Sequence, residues 1–316
     1  MIWAAAAVLA VLLLPHLWPR LWLAPTTGIA LWTGVLALRT VLAAVGILLL
    51  VLYFPSTEIF QLITHWCFHA VLPVIAVHLG FSGHTLGDAA LLVPALTLAI
   101  SILFALRGAW RAARLVAAWK RSSLLGAGPR RSLVVGGSEV VVAAAGLRRP
   151  DVVVSTGALT KLDDEELVAG LEHEWGHIHR KHRFWALAGA MMLAVARLLP
   201  GSRRAFEELH FHLERDADEY AVRRTGNPLA LANAICKAAV PDTPEPVALM
   251  SLAGYAARGR LGALLDRRRP GALIRASGLL IAALPAALAL ALLVAMPTIA
   301  SIGLSQAAGA VAHYCN

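Results

Sequence analysis

Apolar residues crowd both ends of the chain and thin out in its middle. Apolar runs occupy residues 2–18, 28–54, 89–106 and 271–304, and a polar stretch separates the third from the fourth. A helix needs about 20 apolar residues to cross bilayer hydrocarbon. The pattern therefore predicts about four transmembrane helices, near 2–19, 34–55 and 88–106 and from 271 onward. The expected fold class is a mainly α membrane protein with a polar α+β domain inserted before the last span. The expected domains are an N-terminal membrane region at 1–106, a polar domain at 107–270, and a C-terminal span with a short tail at 271–316. Residues 59–81 are apolar but hold Gln61, His65, His69 and His78. They read as an amphipathic or partly inserted element of an outer loop, 56–87, in preference to a fifth span. The first run has no basic leader and no clear cleavage site, so it reads as an anchor. Arg39 lies inside the second run, and the simpler reading shifts that span so that the guanidinium snorkels to the near interface.

Within the polar stretch the periodicity changes. Short β-branched runs at 133–135, 140–144 and 152–155 are separated by Gly136-Gly137 and by 146–150, a pattern for a small sheet or hairpin. Asp163 followed by Glu166 has the spacing of a capping box, and the acidic run 163–166 suits a helix N-terminus. A helix is predicted from there to beyond His182. Residues 184–199 form an apolar helix too short for a span, and 202–224 form a polar one stopped by Gly226.

Composition and charge sharpen this picture. The chain has 316 residues, 59% hydrophobic and 15% charged; an ordinary soluble domain is about a quarter charged. A simple soluble globule and a disordered chain are both excluded. Of 28 Lys and Arg, all but Arg20 and Arg39 lie between Arg107 and Arg275. These cations flank the polar stretch on both sides, which assigns it to the cytoplasm. Both chain termini then lie outside, in a multi-pass protein of the plasma membrane. The net charge of +9 reads as topology and as affinity for anionic headgroups. No nucleic-acid reading element is present, so no direct nucleic-acid partner is expected. Cys67 and Cys315 fall on the outer side, where a disulfide and two free thiols are both compatible with the sequence. Cys236 reads as a reduced, buried thiol.

The chemistry concentrates in the polar stretch. His173-Glu174-Trp175-Gly176-His177 is an HExxH motif on the first predicted helix. Residues i and i+4 share a helical face, so both imidazoles can reach one tetrahedral zinc ion. Glu174 sits beside that face, where its carboxylate can accept a proton from the attacking water. Zinc needs a third protein ligand, and Glu207, His210, Glu214 and Asp218 recur at helical spacing on the later helix. Of Glu214 and Asp218, one can bind the metal while the other fixes a ligating histidine. His210, His212 and Arg215 are candidates for stabilising the transition state. His179 and His182 read as part of a basic helix surface, and His65 with His69 as interfacial histidines.

HExxH followed some 40 residues later by ExxxD resembles the membrane gluzincins of the HtpX and CAAX-prenyl-protease type and the BlaR/MecR antirepressor peptidases. The lead-in 152–159, Leu162, 165–167 and Leu171 is similar as well. The resemblance implies a zincin-like metalloprotease domain, zinc as cofactor, His173, His177 and Glu214 as ligands, Glu174 as general base and Asp218 behind the ligands. It also implies a protein substrate in the cytoplasm, such as a BlaI-like repressor. One departure is plain: BlaR and MecR carry a penicillin-binding sensor after the last span, and this chain ends about a dozen residues beyond it. The expected function is an integral-membrane zinc endopeptidase in signalling. The alternatives are an HtpX-like quality-control protease and a non-catalytic membrane scaffold with structural zinc.

Overall fold

The computed structural model describes residues 12–13, 16, 23–53, 83–146, 150–239, 259–262, 264, 280 and 282–295. The expected span at 2–19 lies almost wholly outside these residues, as do Cys67, Cys315 and residues 56–82 of the expected outer loop; the last five residues of that loop, 83–87, are helical instead, and Cys236, expected to be buried, is exposed. Two long helices come first: α1 (Pro25–Tyr53) and α2 (Gly83–Ser123). Four strands follow, β1 (Leu124–Ala127), β2 (Leu133–Val135), β3 (Val142–Ala145) and β4 (Asp151–Ser155). Then come α3 (Thr156–Lys161), α4 (Asp164–His179), α5 (His182–Ala196), α6 (Ser202–Thr225) and α7 (Pro228–Ala238). A further helical stretch, α8, covers Ala282–Ala295.

The strands form one sheet in the order β1-β2-β4-β3. β2 and β4 run parallel, and the two outer pairings are antiparallel. This fits the small sheet or hairpin expected from the three β-branched runs, which supply β2, β3 and β4. β1 had no sequence signal of its own and enters as a short edge strand that continues from α2. The three valines of β4 are fully buried, because the strand is covered on both faces. Val153 packs with Val135 and Ala145, while Val154 packs with Ala158, Leu162 and Ala234. A strand buried on both sides reads as a continuous apolar run and shows no alternation.

Ser155 closes β4 and opens α3 by accepting the Ala158 N–H at 3.0 Å. The capping box of α4 forms as its spacing predicts. The Asp163 carboxylate accepts Glu166 N–H at 2.8 Å, and the Glu166 carboxylate accepts Asp163 N–H at 3.0 Å. The helix does not run past His182, however. It ends at His179, Lys181 takes a left-handed conformation at φ 57°, and α5 starts at His182. Non-glycine residues adopt that conformation only rarely, so helical periodicity gave no warning of the turn.

α1 packs against other parts of the protein along much of its length. Among the described residues one helical stretch, Pro25–Ile47, is long and apolar enough to cross a membrane, yet 61% of its apolar window is buried inside the protein. Leu31, Trp32, Val35 and Leu36 pack with Ala205, Leu209 and Leu213 of α6. α2 is continuous over 41 residues, roughly 60 Å at 1.5 Å per residue, so the expected boundary at 106/107 falls inside one helix. Arg39 does not snorkel. It is 3% exposed and donates to the Pro200 carbonyl, in the turn between α5 and α6, with His16 Nε2 3.2 Å away. A carbonyl in such a turn has no helical or sheet partner of its own, and the guanidinium supplies a donor.

Candidate metal centre

The site forms where α4 crosses α6. Gly176 makes the crossing close: a Cβ there would sit 3.2 Å from both the Ala217 Cα and the Tyr220 side chain. The small residue inside the HExxH motif thus sets the separation of the two helices. From α4, His173 and His177 present their Nε2 atoms 3.1 Å apart. From α6, Glu214 reaches both, with Oε2 3.4 Å from His173 Nε2 and Oε1 3.4 Å from His177 Nε2. The three ligand atoms lie within 4.8 Å of one another.

The geometry separates the two carboxylates that helical spacing left equivalent. Glu214 faces the Nε2 atoms, whereas Asp218 Oδ1 lies 2.9 Å from His173 Nδ1 on the far side of that ring. Two imidazole nitrogens and one carboxylate converging on a point, each ring held from behind, are a donor set of the type that binds zinc with an open fourth position.

The electrostatics follow from burial and charge. Burial alone lowers the His173 pKa, but Asp218 and Glu214 outweigh it and raise it to about 10 in the metal-free site. His177 goes the other way, to about 3, chiefly because burial disfavours its charged form. Burial pushes Glu174 up to about 7, with the Glu214 charge adding to the rise and His173, the Ala144 N–H and Arg260 opposing it. Glu214 and Asp218 are both lowered against their burial, Glu214 first by His177 and Arg260, Asp218 first by Arg260.

Three contacts in the site were not foreseen. Arg260, 5% exposed, donates to both oxygens of Asp218 at 2.9 and 2.7 Å and lies 2.8 Å from Glu214 Oε2. Nothing in the sequence marked it, because it lies 42 residues beyond Asp218 in a stretch with many arginines. The Ala144 N–H of β3 donates to Glu174 Oε2 at 2.7 Å, so a sheet edge fixes the carboxylate. His182, expected on a basic surface, is 3% exposed, with Nδ1 2.9 Å from His177 Nδ1. Its one sequence signal was its nearness to the motif.

The other expected stabilisers have different settings. His212 is fully buried, its ring where a Cβ on Gly28 of α1 would fall. Arg215 Nη1 donates to the Leu23 carbonyl at 3.0 Å, ahead of α1. His210 lies edge-on to Phe206, with ring centroids 4.5 Å apart.

Residues 126–208 match the model of peptidase family M48. The match takes in β2 to β4 and the whole of α4, so it includes both site histidines and Glu174. It ends before Glu214 and Asp218. No curated protein and no solved structure matches the chain. The family match together with the His–His–Glu cluster supports a metallopeptidase.

Proposed function

We propose that the chain is a membrane-anchored zinc endopeptidase that cleaves a cytoplasmic protein, acting in signalling as a repressor-cleaving protease. One observation carries the catalytic part of this reading. The His173–His177–Glu214 cluster has a half-buried carboxylate, Glu174, beside it, held by the backbone of a sheet edge. A structural zinc site needs no such group.

His173, His177 and Glu214 hold the metal, which supplies Lewis acidity to the reaction. Glu174 takes a proton from the attacking water on its carboxylate and passes it to the departing amine. Its raised pKa near 7 suits both halves of that task, since a group that takes and returns a proton works best near the ambient pH. Asp218 holds the His173 ring from behind, and Arg260 holds Asp218 and Glu214 together. β3 is an edge strand. An extended substrate segment adding to that edge is led past Glu174, and backbone pairing accepts many sequences.

The membrane part of the proposal rests on the apolar α1, and its cytoplasmic side on the basic flanks of the catalytic segment, since cytoplasmic segments carry an excess of Lys and Arg. New protein termini compared between cells carrying the wild type and Glu174→Gln test the whole reading. The expected result is a small set of cytoplasmic cleavages present in the wild type only. Identical profiles from two zinc-loaded proteins would overturn it.

A further inference from the structure

Behind His177 lies a chain of buried polar groups. His177 Nδ1 faces His182 Nδ1 at 2.9 Å, and His182 Nε2 faces Asp216 Oδ2 at 3.0 Å. Asp216 Oδ1 accepts from Arg180 Nη1. His182 and Asp216 are 3% and 2% exposed, so water does not substitute for these partners. The left-handed turn at Lys181 is what brings His182 back against His177, and Asp216 comes from α6, two residues from Glu214.

Proton bookkeeping gives this chain a direction. An ionised carboxylate only accepts. Asp216 takes a donor from Arg180 at one oxygen and therefore takes the His182 Nε2–H at the other. A neutral imidazole with its proton on Nε2 has a lone pair on Nδ1. That lone pair faces His177 Nδ1, and two nitrogens 2.9 Å apart share one proton, so the proton belongs to His177 Nδ1. The Nε2 of His177 is then a bare lone pair, pointing at His173 and Glu214. A doubly protonated His182 would instead place the hydrogen on His177 Nε2, which a metal ligand cannot carry, and the remaining placements set two donors or two acceptors face to face.

We infer that His182 and Asp216 are positioning residues that fix the tautomer and orientation of His177, so that its Nε2 is presented to the metal. The two site histidines are thus held by different devices: His173 by a carboxylate directly, His177 by a histidine relaying a carboxylate. This rests on the proposed reading of His177 as a metal ligand, and the two are separable by experiment.

The test uses the full chain in detergent, with zinc as the probe. Zinc affinity is measured by competition with a chelator for the wild type, Asp216→Asn, His182→Leu and His182→Asn. The metal-free His177 tautomer is read from imidazole 15N shifts, assigned with His177→Gln. Asp216→Asn keeps the shape. Arg180 holds its oxygen, so its amide N–H turns to His182 Nε2, which drives the proton to Nδ1 and inverts the chain. His182→Leu removes the acceptor, and His182→Asn restores an oxygen near the place of Nδ1.

Loss of an outer partner of this kind costs about 10–100-fold in metal affinity. Such a loss is expected for Asp216→Asn and His182→Leu, with recovery to within about threefold in His182→Asn. The His177 proton should move from Nδ1 to Nε2 in Asp216→Asn. Wild-type affinity in both damaging variants, or an unmoved tautomer, overturns the inference. Should Asp216→Asn not fold, the contrast between His182→Leu and His182→Asn decides in the same way. A wild type that binds no zinc sinks the metal-centre reading alone, and the tautomer measurement still judges the relay.

Discussion

Arg260→Gln in the metal-free protein removes the cation that both α6 carboxylates share. Asp218 is 3% exposed and is held through both oxygens, and Glu214 is held through one. Removing one partner of a buried ion pair costs about 3–5 kcal/mol, because the remaining charge stays desolvated. The bidentate geometry on Asp218, with a further contact to Glu214, puts this case in that range. Unfolding entropy of about 2.1 cal/mol/K per residue makes a loss of 1 kcal/mol worth about 1.5 °C of Tm in a chain of 316 residues. The metal-free variant should therefore melt about 5–8 °C below the wild type. Zinc returns positive charge to Glu214, so the gap should narrow when both proteins are loaded. The assay is four thermal melts of the detergent-solubilised chain: wild type and Arg260→Gln, each with chelator and with excess zinc. Coincident metal-free melts would show that Arg260 is not the counter-ion of these carboxylates. An equal gap with and without zinc would show that the cation and the metal do not act on the same carboxylate.

The raised Glu174 pKa sets the sign of a pH dependence: the base must be ionised, so kcat/KM should fall about tenfold per unit as pH drops below about 7. Arg260 lowers the Glu174 pKa by its charge, so Arg260→Gln should move this acid limb to higher pH; a limb that stays in place in the variant argues against the field. Ala144→Pro deletes the N–H that holds Glu174 at an edge position where proline is tolerated. Hydrogen bonds to charged groups contribute about 1.5–3 kcal/mol, so kcat should drop roughly tenfold or more, with zinc affinity unchanged in the chelator competition. Gly28→Ala sets a methyl group against the buried His212 ring. Overpacking of about 2–3 kcal/mol, less about 1 kcal/mol of helix propensity, predicts a net loss of about 1–2 kcal/mol in chemical denaturation; a stabilised variant would mean that α1 does not bear on α6 there.

Local patterns made much of this protein legible. The cap of α4 shows in Asp163 and Glu166, because capping joins residues three apart. The stop of α6 shows in Gly226, which takes φ 71°. The pairing of His173 with His177 shows in the HExxH spacing, because helical geometry alone brings i and i+4 together. The small sheet shows in its three β-branched runs and the glycines that separate them.

The relations that complete the site are long-range in sequence or in surroundings. Helical spacing placed Glu214 and Asp218 on one face, and only the crossing with α4 decided which oxygen faces Nε2 and which faces Nδ1. Arg260 reaches its carboxylates from 42 and 46 residues away, and no periodicity links those positions. The apolar run of α1 declared its hydrophobicity but not what covers it, since a lipid-facing helix and a core helix satisfy the same composition. Packing chose α6 as its neighbour and buried Arg39 on the turn that starts the ligand-bearing helix. His182 looked like one more basic residue until the left-handed Lys181 folded it back on His177. Sequence determined the elements and the chemical groups available, through short-range sterics and hydrogen bonding. Tertiary structure decided their partners, because charge, tautomer and burial depend on what lies across the contact.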